Sequence, residues 1–142
     1  MPMLHLENVN WLAVLVAALA TFFLGAVWYT ALLGKAWQRA NGYTDDKVKE
    51  LQKARPLQVF LGMMAGSYVI LAIGVALLCA WLGVVGWKHG AHLGLLLWFA
   101  VALPIGLTHY IANDRRFAVY LIDLSYQLTF LVMTGIIIGA WR

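Results

Sequence analysis

The charged residue whose position most needs a chemical explanation is an aspartate inside an apolar run. Asp123 is the only formally charged residue in 117–141. Tyr120, Gln127 and Thr134 accompany it at successive spacings of three, four and seven, which places these side chains on one stripe of a helix. Because a lone carboxylate in hydrocarbon is costly, we expect this stripe to face protein or water rather than lipid.

A histidine on the preceding apolar segment extends this polar cluster. His109 lies about as far before the connecting turn as Asp123 lies after it, so antiparallel helices would bring both residues to a similar depth. An Asp123–His109 pair is therefore geometrically reasonable. Pro104, about one turn further in, lacks a backbone donor and is expected to bend the same helix.

Two interpretations of the cluster stay open. In the functional one, Asp123 binds a proton or a cation, and His109 and Gln127 tune its affinity. In the structural one, the carboxylate is a hydrogen-bonded staple near one membrane boundary, held by one of three residues: Tyr29, Thr30 or Arg116. A single acid with no second charged residue deep in the membrane makes a poor proton relay, which favours the structural interpretation.

Three histidines near the opposite boundary are the candidate metal ligands: His5, His89 and His92. The i, i+3 spacing of His89 and His92 permits chelation from one helix, with His5 approaching from the amino terminus. Histidines at a bilayer boundary also serve simply as polar caps. The sequence contains no nucleophile elbow, CxxC, HExxH or glycine-rich phosphate loop, so it predicts neither an enzyme nor a cofactor.

The composition indicates which structural elements position these residues: the sequence is 63% hydrophobic and 11% charged, as in an integral membrane protein. The run 11–33 contains no Asp, Glu, Lys or Arg and, at about 1.5 Å per residue, is long enough to cross a hydrocarbon core of ~30 Å. Three further runs are similarly apolar. We predict one domain, 1–142, with four spans at about 11–33, 57–83, 91–112 and 118–140.

The alternatives to this architecture are a soluble bundle and a β-barrel. A soluble bundle needs a polar face on each helix, and a barrel needs period-two alternation; these runs have neither pattern. The sequence therefore predicts an all-α membrane protein, a bundle of four transmembrane helices joined by short loops.

The loop 34–56 is the only long connection. Within it, Thr44 can cap a helix whose first turn carries two acids, where negative charge complements the helix dipole, and Pro56 marks the start of the next span. The sequence thus predicts a short cytoplasmic helix between the first two transmembrane helices, from about Asp45 to Ala54.

Basic residues are distributed unequally between the two sides of the membrane. Lys88 and Arg142 lie on one side, and all other lysines and arginines lie in the loop 34–56 or the turn 113–116. Since basic loops stay in the cytoplasm, both termini are expected to face outward. The net charge of +4 then reports topology and contact with anionic headgroups, not nucleic-acid binding, for which no interleaved aromatic and basic surface exists.

Small residues at spacings of four indicate close helix packing in a membrane. Gly25 belongs to such a series on the first span, while Gly62/Gly66 and Gly135/Gly139 are GxxxG repeats on the second and fourth. These repeats exceed what one compact bundle needs. We therefore expect a homo-oligomer.

Several segments carry a resemblance to a known family. They are Asn10-Trp11, 25–29 with its Gly-x-x-Trp-Tyr pattern, 34–37 with Gly-Lys-x-Trp, 121–127 around Asp123, and the closing 135–141. In these segments the chain resembles the bacterial membrane family called domain of unknown function 1761, over essentially its whole length. The resemblance implies a small four-span protein of the bacterial inner membrane, with both termini then periplasmic, and it carries no established activity.

Two functions follow as hypotheses. The first is a small polytopic protein that forms an oligomeric pathway for an ion or small molecule along the acidic stripe. The alternative is a structural or accessory subunit that stabilises a larger membrane complex by contact with an unidentified membrane protein. Apart from the lipid bilayer and further copies of the chain, the sequence specifies no partner, and it leaves the substrate and the copy number open.

Overall fold

The computed structural model describes residues 6–142, in which a 3-10 turn, Leu6–Asn8, precedes six helices and no strand is present. The long helices are α1 (Trp11–Leu32), α4 (Leu57–Leu82), α5 (Trp87–Ala112) and α6 (Phe117–Ala140). Two short helices, α2 (Gly34–Asn41) and α3 (Asp45–Ala54), connect α1 to α4.

The four long helices are each long and apolar enough to cross a membrane. They indicate a multi-pass membrane protein, and the all-α prediction is confirmed. Helix α5 begins at Trp87, before the predicted span at 91, because Gly86 takes a positive φ of 85° and the polar residues that follow it are already helical. The loop 34–56 contains α3, whose Thr44 cap accepts a hydrogen bond from Lys47 N at 3.3 Å.

Asn10 links the start of α1 to the end of α6 by hydrogen bonds. Asn10 caps α1 by accepting a hydrogen bond from Ala13 N at 3.1 Å, and its amide donates to the carbonyl of Trp141 at 3.1 Å. The start of α1 and the end of α6 are therefore neighbours.

The buried core consists largely of small side chains. Ala13, Ala17 and Thr21 line one face of α1 and are almost fully buried, and Ala76 and Cys79 of α4 belong to the same buried cluster as the alanines. Small residues at these positions let helix backbones approach closely, which is the main source of helix association in a lipid environment.

The closest helix pair is α5 and α6. A Cβ atom at Gly90 would collide with the carbonyl of Gly135, and a Cβ at Gly135 would collide with the carbonyl of Gly90. Gly139 lies against Gly90 in the same way, and its carbonyl accepts a hydrogen bond from Gly86 N at 2.7 Å. The GxxxG repeat of α6 is thus used within the chain.

The other glycines predicted to pack have different environments. Gly25 faces the hydroxyl of Tyr126, which would lie 2.6 Å from a Cβ at that position. Gly62 and Gly66 on α4 are exposed, and a Cβ at either would meet no described atom within 4 Å. The GxxxG repeat of α4 therefore has no partner helix among residues 6–142.

Candidate functional site

The carboxylate of Asp123 is held by two aromatic donors. Its Oδ1 accepts a hydrogen bond from the Tyr29 hydroxyl at 2.8 Å and another from the Trp37 indole N–H at 3.0 Å. Tyr29 lies on α1 and Trp37 on α2, so the carboxylate joins both helices to α6. Hydrogen bonds to an ionised group are stronger than neutral ones.

A π-helical turn and a buried glycine place the two donors. The last turn of α1, Trp28–Leu32, is a π-helix in which Leu33 N donates to the carbonyl of Trp28 at 2.8 Å. The chain then folds back at Gly34, where any Cβ would collide with the carbonyl of Tyr29. Glycine at this position allows α2 to lie against the end of α1, with the ring centroids of Trp37 and Tyr29 5.9 Å apart.

The structural interpretation of Asp123 named three candidate holders, and one of them makes the contact. Tyr29 donates to the carboxylate, whereas Thr30 donates to the carbonyl of Ala26 and Arg116 donates to the carbonyl of Arg39. The sequence did not predict the contact with Trp37, which appeared there only as part of the family pattern at 34–37. The Gly-Lys-x-Trp pattern that follows Tyr29 was the available signal.

A small polar cavity lies on Asp123. It has a volume of about 140 Å³ and is lined by Asp123, His109, Arg115, Tyr120 and Gln127, together with Tyr110 and apolar residues. At ~30 Å³ per water molecule, it has room for a few waters. All the predicted cluster residues except Thr134 therefore line one cavity.

The predicted Asp123–His109 pair is not formed. No hydrogen bond or ion pair within residues 6–142 joins the two side chains, although both line the cavity. His109 stays exposed on α5, and the hydrogen bonds that hold Asp123 come instead from α1 and α2. Among residues 6–142 no ion pair to Asp123 is formed, and the pairs Lys47–Glu50 and Lys49–Asp46 are exposed contacts within α3.

Gln127 is the least satisfied polar group of the cluster. Its Oε1 is buried and accepts no hydrogen bond from the described residues. Burial of an amide without a partner costs a few kcal/mol, and more in hydrocarbon, where water cannot compensate. Gln127 also lines a second cavity, so this amide lies between two spaces.

The second cavity is a large apolar groove between α4, α5 and α6, with a volume of about 860 Å³. Residues from Leu71 to Trp81 line it from α4 and residues from Leu97 to Ile105 line it from α5, while Gln127 provides its only carboxamide. We call this cavity the apolar groove. Its volume lies within the range of about 300–1,000 Å³ that is typical of small-molecule sites.

Helix α5 carries its own π-helical turn beside the groove. In Trp98–Ala102 the backbone N–H of Leu103 donates to the carbonyl of Trp98, and the Trp98 indole donates to the carbonyl of Leu124 at 3.0 Å. Pro104, which cannot donate to the carbonyl four residues earlier, follows directly. Such π-turns are frequent at functional sites.

Thr134, the last member of the predicted stripe, lies apart from the cavity. It is fully buried, and its hydroxyl pairs with that of Thr21 at 3.2 Å. Between Thr134 and Asp123, the Tyr126 hydroxyl lies 2.8 Å from the Tyr68 hydroxyl and 3.3 Å from the carbonyl of Thr21. This part of α6 packs on α1 and α4.

The histidines near the other end of the helices form no metal centre in the described part of the chain. His89 and His92 are exposed in the first turns of α5, and His89 Nδ1 lies 2.9 Å from the carbonyl of Val85. No group of three or more His, Cys, Asp or Glu side chains with metal-binding geometry occurs in residues 6–142. His5 lies outside the described residues.

One family of known proteins matches nearly the whole chain. The family described as "Protein of unknown function (DUF1761)" matches residues 12–139. The chain belongs to this family. The match includes Asp123, both of its aromatic donors and all four long helices, and it confirms the resemblance found in the sequence. No curated protein and no solved structure matches the chain.

Proposed function

We propose that this DUF1761 protein is a non-enzymatic membrane protein that binds a cation, including a proton, at Asp123 and forms part of an oligomeric pathway for an ion or small molecule. One observation carries the proposal. Asp123 lies in an apolar helix, is half-buried, forms no ion pair with the described residues and lines a polar cavity. A buried carboxylate without a counter-charge attracts a proton or cation.

The hydrogen bonds of Asp123 support this role. Both donors converge on Oδ1, and no donor within residues 6–142 reaches Oδ2. The fixed oxygen orients the carboxylate, and the second oxygen remains available to a ligand in the cavity. Arg115 lines the same cavity but is exposed, so solvent screens its charge from the carboxylate.

The proposed oligomer rests on α4. Gly135 and Gly139 are occupied by α5, whereas Gly62 and Gly66 form an exposed small-residue face with no partner inside the described chain. A second copy that packs on this face would bury it. Several copies together would also build a path that one small subunit does not form alone.

The proposed setting is the bacterial inner membrane. The basic residues of α2, α3 and the turn before α6 favour the cytoplasmic side for those segments and the periplasm for both termini. This topology places the polar cavity near the cytoplasmic boundary, because Arg115 lines it.

Flux through reconstituted protein tests the proposal. Asp123→Asn keeps the size and hydrogen-bonding capacity of the side chain but removes its charge. In liposomes that contain a pH-sensitive dye, we expect wild-type protein to carry pH-dependent proton or cation flux and Asp123→Asn to carry none, with the same elution volume in detergent. Equal flux in both proteins would contradict the proposal. Tyr43→Phe is the matched control, because this aromatic residue contacts Trp37 but its hydroxyl forms no described hydrogen bond.

A structural or accessory role is the second candidate, favoured by the two donors on Asp123. In that case the carboxylate only fastens α1 and α2 to α6, and the exposed face of α4 docks a different membrane protein. Asp123→Asn would then lower stability without changing any flux, and substitutions at Gly66 would release the partner in a pull-down.

A further inference from the structure

We propose that the ligand of the Asp123 site is an amphipathic cation, such as a long-chain primary amine, whose apolar part occupies the apolar groove. This inference rests on the proposed function and specifies its substrate class. The two cavities adjoin at Ile105 and Gln127, which line both.

The shape of the apolar groove fits a hydrocarbon chain. It extends along α4 from Leu71 to Trp81, and Ile105 belongs to its lining and to that of the polar cavity. Its rim residues Trp81 and Ile105 are 58% and 62% exposed, so the groove opens at the outer surface of the helices. A ligand can therefore enter from the lipid phase without crossing the core.

The polar groups at the inner end of the groove specify the headgroup. Asp123 and Gln127 are four residues apart and share one face of α6. Two acceptor oxygens here have no donor in the described chain: Oδ2 of Asp123, and Oε1 of Gln127, which is buried beside the two cavities. Two unpaired acceptors, one of them charged, are complementary to an ammonium group with several N–H donors.

Other amphiphiles fit less well. The acyl chain of a neutral lipid would fill the groove but leave both acceptors unpaired. An anionic headgroup would face the carboxylate of Asp123, which is less exposed than Arg115, the basic residue that lines the same cavity. Charge complementarity therefore selects a cationic headgroup.

Gly74 offers a way to fill the groove without disturbing the fold. It lines the groove, and a Cβ at this position would meet no described atom within 4 Å. Gly74→Phe should place a ring in the groove. Ile70→Phe is the matched control, because Ile70 lies one turn earlier on α4, is 72% exposed and does not line the groove.

Photolabelling in lipid nanodiscs of phosphatidylcholine tests the inference. The probe is a long-chain primary amine with a diazirine in its chain, and the comparison probes carry a hydroxyl or a carboxylate in place of the amine. We expect the amine to label the groove residues of α4 and α5, as mapped by mass spectrometry. Asp123→Asn should reduce this labelling at least about tenfold, the effect of one charge-assisted hydrogen bond.

The variants distinguish the outcomes. Gly74→Phe should abolish groove labelling and Ile70→Phe should preserve it, while Gln127→Leu should weaken it even if Gly74→Phe fails to fold. Equal labelling by all three probes, or stronger labelling by the carboxylate probe, would overturn the inference. If flux still depends on Asp123 while the amine does not label the groove, the amphiphile is wrong and the proposed function stands. If Asp123→Asn changes neither flux nor labelling, both are wrong.

Discussion

At the scale of single residues, Asp123 combines two properties that usually exclude each other. One carboxylate oxygen is fixed by two aromatic donors, as in a structural staple, and the same side chain lines a polar cavity, as in a binding site. The sequence revealed the acid, its stripe and Tyr29 as a candidate holder. It did not reveal Trp37, because the fold-back of α2 depends on a π-turn and on the close contact of Gly34 with the carbonyl of Tyr29, neither of which has a hydropathy signal.

The strength of the hydrogen bond from Tyr29 to Asp123 can be measured. Tyr29→Phe removes the hydroxyl that donates to Oδ1 but keeps the ring, so we expect it to destabilise the protein by about 1–2 kcal/mol. Thermal unfolding in detergent provides the measurement. In the Asp123→Asn background the same substitution should cost clearly less, since the charged acceptor is already gone. Additive effects of the two substitutions would contradict the contact.

At the scale of elements, the hydropathy runs predicted the four long helices, whereas contacts of single glycines determine how they pack. The sequence treated the glycine repeats of α4 and α6 alike, yet α5 covers one repeat and the other is exposed. Periodicity places residues on a face but does not say what that face contacts. The two π-turns were likewise unpredictable, although Pro104 marked the neighbourhood of one.

The α5–α6 contact implies that alanine should have opposite effects on stability at two glycines, Gly90 and Gly74. Gly90→Ala should destabilise the protein by about 1–3 kcal/mol, because its Cβ would collide with the carbonyl of Gly135. Gly74→Ala, in open space on a helix, should be neutral or stabilise the protein by up to ~1 kcal/mol through helix propensity. Thermal unfolding in detergent compares the two. If Gly90→Ala were as stable as Gly74→Ala, the α5–α6 contact would be misplaced.

At the scale of the whole molecule, the chain leaves one small-residue face unpaired. Gly62 and Gly66 are exposed on the first half of α4, beyond the region where α4 contributes to the buried core. The sequence-based expectation of a homo-oligomer stays a prediction, now attached to this face.

Assembly can be tested on that face. Gly66→Leu should shift the protein from an oligomer to a monomer in light-scattering measurements, because it blocks close backbone approach between copies. Ser67→Leu is the control, since it also enlarges a small exposed residue of α4 but points about a third of a turn away. An unchanged mass for Gly66→Leu would remove the α4 face as the site of assembly.

The predicted orientation of the protein in the membrane can be tested with single cysteines. Single cysteines at Glu50→Cys in α3 and Lys88→Cys in α5 would report opposite sides, against a background in which the native Cys79 is fully buried. In intact bacteria, we expect a membrane-impermeant maleimide to label Lys88→Cys and to leave Glu50→Cys unlabelled until the cells are opened. The reverse pattern would invert the topology and place the polar cavity at the outer boundary.

The most direct measurement of the central claim is chemical modification of Asp123 itself. A lipid-soluble carbodiimide, which modifies protonated carboxyl groups in apolar surroundings, should react with Asp123 in the reconstituted protein, and mass spectrometry of the α6 peptide should locate the adduct. A cation that binds the site should protect Asp123 in a concentration-dependent manner. Absence of the adduct even in acid, where carboxyl groups are protonated, or an adduct whose yield no cation changes, would contradict a cation-binding carboxylate and leave Asp123 as a structural contact alone.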